Sequence, residues 1–114
     1  MNHGIKTVLY PASDLEKTKV LFKALSGADP VADSPYYVGF DIAGQQIGLD
    51  PNGVGRGMTG ATPFWDVDDI AGTMTALEAA GATVVEASHD VANGLLVAIM
   101  KDSDGSMIGL RQVP

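Results

Sequence analysis

The sequence predicts an α+β fold built from two tandem copies of one strand–helix–strand–strand–strand module. Two internal matches and one repeated element order predict it. Asp41-Ile42-Ala43-Gly44-Gln45-Gln46-Ile47-Gly48-Leu49 returns, loosened, as Asp102-Ser103-Asp104-Gly105-Ser106-Met107-Ile108-Gly109-Leu110. Thr7 to Leu15, a run ending Asp-Leu, is answered by Thr62 to Ile70, a run ending Asp-Ile. The offsets are 61 and 55 residues, as two copies of a half-chain module with one longer loop require.

The first copy reads in order. Ile5 to Pro11 is a short apolar run with β-branched residues, a strand pattern. Ser13 stands three residues before Glu16, the spacing of a capping box. Leu15, Thr18, Phe22 and Leu25 then fall on one helical face, with Gly27 as the stop. A weak strand is expected around Asp29 to Ala32. Pro35 to Phe40 and Gln45 to Asp50 form a hairpin about Ala43-Gly44.

The second copy is clearer. Thr62 to Val67 is a strand, and Asp68 or Asp69 caps a helix that runs to Ala80 before Gly81. Ala82 to Glu86 is a strand. Leu95 to Lys101 and Ser106 to Gln112 pair around Asp104-Gly105, read as a two-residue turn. One domain is expected, with modules at about 1–52 and 61–114. The connector at 51–60 holds four glycines and a proline and reads as flexible. It lacks the lysine-threonine ending of a phosphate-cradling loop.

Composition excludes several classes of function. Hydrophobic content of 46% with 18% charged residues suits a folded chain of 114 residues. The net charge of −7 argues against a nucleic-acid partner and gives cationic ligands a weak preference. No apolar run nears the roughly 18 residues of a membrane span, and the N-terminus lacks a signal pattern. The absence of cysteine removes disulfides, thiolate metal sites and a cysteine nucleophile, and fits a cytoplasmic location. His3, in the N-terminal tail, and His89, in a loop, read as surface residues, so no serine triad is supported. Asp102-Ser103-Asp104-Gly105 lacks the later ligands of a calcium loop.

The repeated module, the Asp-Leu or Asp-Ile opening each helix and the Gly-x-x-Ile-Gly-Leu closing hairpin together resemble the vicinal oxygen chelate superfamily. It includes glyoxalases, extradiol dioxygenases and bleomycin resistance proteins. The resemblance spans Ile5 to Gln112. It implies a cupped, eight-stranded antiparallel sheet with helices on the convex face, a ligand in the concave front, and assembly as a homodimer. Metal-using members hold a divalent ion with one side chain from the first and last strand of each module. Thr7, Thr62, Gly48 and Gly109 fall at those four positions, and two hydroxyls with two bare α-carbons make a poor donor set. No metal and no cofactor are therefore expected, and no catalytic residue is assigned.

Period-two alternation from those positions assigns the lining of the cup. Leu9 and Pro11 join Thr7, and Phe64 and Asp66 join Thr62. Gln46 and Asp50 join Gly48, and Met107 and Arg111 join Gly109. Tyr37 follows from pairing across Ala43-Gly44, and Leu96, Ala98 and Met100 follow from the two-residue turn at Asp104-Gly105. Glycines 48 and 109 are expected to leave room for a ligand. Such a lining suits a flat, partly apolar compound, an antibiotic among the possibilities, with Tyr37, Phe64 and Trp65 stacking on it. Gln46, Asp66 and Arg111 supply polar contacts, and Met100 and Met107 shape the pocket. The expected function is metal-free sequestration. The alternatives are a lyase, isomerase or dioxygenase, with Asp66 as base or with Glu86 or Asp50 as misregistered ligands, and a vestigial cup filled by its own side chains. A one-residue slip in register would invert any of these faces.

Overall fold

In the computed structural model, which describes residues 2–114, both copies of the predicted element order form. The first copy comprises β1 (Asn2–Pro11), α1 (Leu15–Ser26), β2 (Ala32–Ser34), β3 (Tyr37–Ile42) and β4 (Gln45–Asp50). The second comprises β5 (Thr62–Val67), α2 (Ile70–Ala79), β6 (Thr83–Ala92), β7 (Leu95–Lys101) and β8 (Met107–Gln112). The chain divides into two compact units. One is Lys6–Thr62; the other is Pro63–Pro114 together with the start of the chain up to Ile5.

In the Lys6–Thr62 unit the strand order is β2-β3-β4-β1. Ala43 and Gly44 both have positive φ, at 52° and 82°, which makes a two-residue hairpin turn whose twist matches the strands it joins. That turn sets Gly39 opposite Gly48, as the sequence predicts. β4 then lies parallel to β1, with Leu9 beside Gly48, so this sheet is mixed rather than wholly antiparallel. The helix face packs Val38, Phe40, Leu49 and Ala12 against Leu15 and Phe22 of α1. Removing such side chains from water contributes roughly 1.5–3 kcal/mol each.

Helix α1 starts one residue later than the capping-box spacing implies. Asp14 is the N-cap and its carboxylate accepts from the Lys17 amide at 3.1 Å, so Glu16 is not at the reciprocal position. Gly27 ends the helix with φ 68°, its amide donating to the Lys23 carbonyl. Leu25 turns outward, because the inward stripe runs through Leu15, Thr18, Lys19, Phe22 and Ser26. β2 falls a few residues beyond its expected place because the Ser34 hydroxyl accepts from the amides of Tyr36 and Tyr37 and closes the turn around Pro35.

The connector is a chain of turns. Asp50 Oδ1 accepts from the Asn52 amide, and Oδ2 takes a 2.5 Å contact from Arg56. Met58, whose amide donates to the Gly53 carbonyl, is buried. The expected flexible segment is therefore internally hydrogen-bonded.

In the other unit the order is β5-β8-β7-β6, again mixed, with β5 parallel to β8 and Phe64 beside Gly109. Asp69, of the two candidates, caps α2 by accepting from the Gly72 amide, and Gly81, with φ 109°, follows Ala80. Val67, Ile70, Ala98, Met100 and Leu110 form the core, with Trp65, Met74 and Leu77 against it. β6 is twice its expected length and turns back at Asn93-Gly94, both with positive φ. His89 therefore lies on a strand rather than in a loop, and His3 lies on β1 rather than in a tail.

Candidate functional site

Each unit presents one sheet face to its helix and one away from it, and the predicted lining residues divide between the two units. In the Lys6–Thr62 unit Thr7, Leu9 and Pro11 pair with Gln46, Gly48 and Asp50 in that order. A Cβ on Gly48 would collide with the Tyr37 ring and hydroxyl and would lie 2.7 Å from the end of Leu9. Tyr37, Leu9 and Gly48 thus share the face away from α1, as predicted. The room expected at Gly48 is already filled by the Tyr37 ring. The Thr7 hydroxyl reaches Gln46 Oε1 at a long 3.4 Å. Asp50, buried, is held by Arg56, a residue no sequence argument had marked. Thr62 is wholly buried and its hydroxyl has no hydrogen-bond partner among the described residues.

The other unit repeats the device. The Phe64 ring lies against Gly109, where an added Cβ would sit 2.5 Å from Phe64 Cγ and Cδ2. Arg111 Nη1 donates to Asp66 Oδ2 at 3.0 Å, and both side chains are largely buried. Asp66 Oδ1 is buried with no partner among the described residues. An orphaned buried acceptor costs about 1–3 kcal/mol, so this oxygen is poised to gain from any donor that reaches it.

Three lining assignments are corrected. Leu96, Ala98 and Met100 lie on the face turned to α2, packed with Val67, Ile70 and Leu110, and not beside Gly109. β7 and β8 pair with Ile99 opposite Gly109 and Val97 opposite Arg111. The cause is the turn. Asp102 and Ser106 close a three-residue loop, with the Asp102 carboxylate accepting from the amides of Asp104 and Ser106 and with Gly105 at φ 83°. Three residues in place of two slip the register by one and turn every β7 side chain over. Met107 and Arg111 keep their predicted face, and Val97, Ile99 and Lys101 join it. Trp65, expected to stack on a ligand, packs against the α2 core.

Strand β6 brings His89, read from the sequence as a loop residue, onto the sheet beside Glu86. Glu86 pairs with Ile99 and His89 with Val97, so both stand on the Phe64–Arg111 face. Asn93-Gly94 carried the available signal, a strong two-residue hairpin pattern that would have drawn β6 through His89. Among the described residues, no three His, Cys, Asp or Glu side chains gather where they could hold a metal ion. His3 Nε2 lies 2.8 Å from Asp68 Oδ1, and this hydrogen bond holds the exposed Asp68 carboxyl below its ordinary value of 3.8. Among the described residues, no helix is long and apolar enough to cross a membrane.

Neither a protein-family model nor a curated protein matches the sequence. Solved structures do match. The NAD-dependent benzaldehyde dehydrogenase of Legionella pneumophila superposes with a TM-score of 0.74 at 14% identity, covering 95% of this chain and 98% of that one. A glyoxalase/bleomycin resistance protein/dioxygenase superfamily member from Vibrio splendidus 12B01 gives 0.71 at 15% identity, over 98% of both chains. Methylmalonyl-CoA epimerase from Mycobacterium tuberculosis gives 0.71 at 15% identity, over 99% of this chain and 90% of that one. Identities this low show the fold alone: this chain and those structures share one architecture.

Proposed function

We propose that the protein binds a small, partly aromatic compound without a metal ion and sequesters it, in the manner of resistance proteins of this fold. One observation carries the reading. At Gly48 and Gly109, the last-strand positions at which the resemblance expects ligands to a metal, each unit carries an aromatic ring laid on a bare α-carbon. The Tyr37 ring, 37% exposed, suits stacking, and the Asp50–Arg56 and Asp66–Arg111 pairs suit a few orienting hydrogen bonds. Thermal-shift screening against aromatic antibiotics and aromatic metabolites tests it. A true ligand at 100 times its Kd adds about 2.7 kcal/mol of stability. Uptake of about one nickel, zinc or iron ion per chain would overturn the metal-free reading.

A second reading, an isomerase or lyase with Asp66 as proton acceptor, is favoured by the unpartnered Asp66 Oδ1. An enzyme of this fold that works on an acyl-CoA, the mycobacterial epimerase, is among the structural neighbours. Solvent-deuterium exchange into small carbonyl compounds, lost in Asp66→Asn, separates this reading from sequestration.

A further inference from the structure

The chain holds two Asn-Gly pairs, Asn52-Gly53 and Asn93-Gly94, and the fold treats them differently. An asparagine followed by glycine carries a reaction within itself. The glycine amide nitrogen gives up its proton to solvent and attacks the asparagine Cγ. A five-membered succinimide closes as the Cγ–Nδ2 bond breaks, and Nδ2 leaves as ammonia. Water then opens the ring at either carbonyl, leaving aspartate or isoaspartate. Glycine favours the step because no Cβ crowds its nitrogen. In a folded chain the nitrogen must be able to lose its proton, and the backbone around it must be able to turn.

Neither condition is met at Asn52-Gly53. The Gly53 amide donates to the Asp50 carbonyl at 3.1 Å, and the Gly53 carbonyl accepts from the amides of Arg56 and Met58. The Asn52 amide donates to Asp50 Oδ1 at 2.8 Å. Gly53 is buried, packed so closely on Pro11 that an added Cβ would lie 2.7 Å from Pro11 Cα. Ring closure would break these contacts together.

Asn93-Gly94 stands instead at the exposed tip of the β6–β7 hairpin. The Gly94 amide donates to the Asp90 carboxylate at 2.9 Å, a side-chain partner that can swing aside. The same carboxylate opposes the reaction, because a nitrogen losing its proton takes on negative charge beside it. We propose that Asn93 is a site of spontaneous deamidation restrained by the charge of Asp90, while the fold protects Asn52. Isoaspartate at position 93 adds one main-chain atom to the turn, and the adjacent Ala92–Leu95 and Asp90–Leu96 pairs lose register. The change acts on β6, the outer strand that carries Glu86 and His89.

No ligand takes part in this chemistry, so it is tested on the full chain alone. The folded protein is aged in mildly alkaline buffer beside a sample held in urea, and both are mapped by peptide mass spectrometry. In urea both pairs convert, each with a gain of about 1 Da. In the folded chain Asn93 converts and Asn52 does not. Asp90→Asn keeps an acceptor for the Gly94 amide but removes the charge, and it speeds conversion at Asn93 by about 10-fold. Asp90 is exposed, so the variant keeps the wild-type circular-dichroism melt. A folded chain in which Asn93 stays intact while the urea sample converts overturns the proposal. Conversion at Asn52 that matches or outruns Asn93 overturns it as well. An Asp90→Asn variant that ages no faster than wild type shows that charge is not the restraint, and overturns it too.

Discussion

At the scale of single residues, the faces turned from the helices are governed by what a ring or a charge leaves unsatisfied. Asp66 rests on one partner, since Arg111 holds Oδ2 while Oδ1 has none among the described residues. Arg111→Met strands a buried carboxylate and lowers stability by about 3 kcal/mol. Adding Asp66→Asn to that variant recovers most of the loss, as urea denaturation of the single and double variants reads directly. The glycine under Phe64 makes a steric prediction. Gly109→Ala forces a methyl against the ring and costs about 2 kcal/mol by overpacking. In Gly109→Ala with Phe64→Leu the two costs fall short of additive, because the smaller side chain vacates the space the methyl needs.

Among elements, helix caps and hairpin turns decide what the strands display. Asp14 and Asp69 set the starts of α1 and α2; Asp69 is one of the two residues the sequence marks as caps, while Asp14 lies one residue beyond the marked Ser13. Lys19 ties α1 to β2, the short edge strand, through Glu16 and Asp33, and the bond to Glu16 is the chief cause that raises its pKa above 10.5. A raised lysine contributes stability that is complete below its unfolded value and fades as pH climbs past the folded one. Lys19→Met therefore lowers Tm by a similar small amount from pH 6 to 9, and the gap to wild type closes above about pH 10.5. Calorimetry across that range checks it. β6 is protected by its own irregularity. Register shifts between Val84 and Glu86, Glu86 and His89, and Asp90 and Ala92 break the ladder that another strand would otherwise extend.

For the whole molecule, the element order, the start of α2 and the Ala43-Gly44 register were legible in the sequence because each rests on local chemistry: a capping carboxylate, a stop glycine, a two-residue turn. That Leu9, Tyr37 and Gly48 in one unit, and Phe64, Gly109 and Arg111 in the other, share the sheet face turned from that unit's own helix followed from alternation once register was set. Leu96 and Met100 did not. Asp104-Gly105 suits a two-residue turn as well as the last part of a three-residue loop, and alternation cannot tell one register from the next. The filling of Gly48 by Tyr37 and of Gly109 by Phe64 was hidden for a related reason. A strand pattern says which way a ring leaves the sheet but not which neighbouring α-carbon it covers. Local chemistry thus determined the elements and most of their faces, and tertiary pairing alone decided register, ring placement and the orphaned oxygen, because each depends on residues distant in the chain meeting at van der Waals distance.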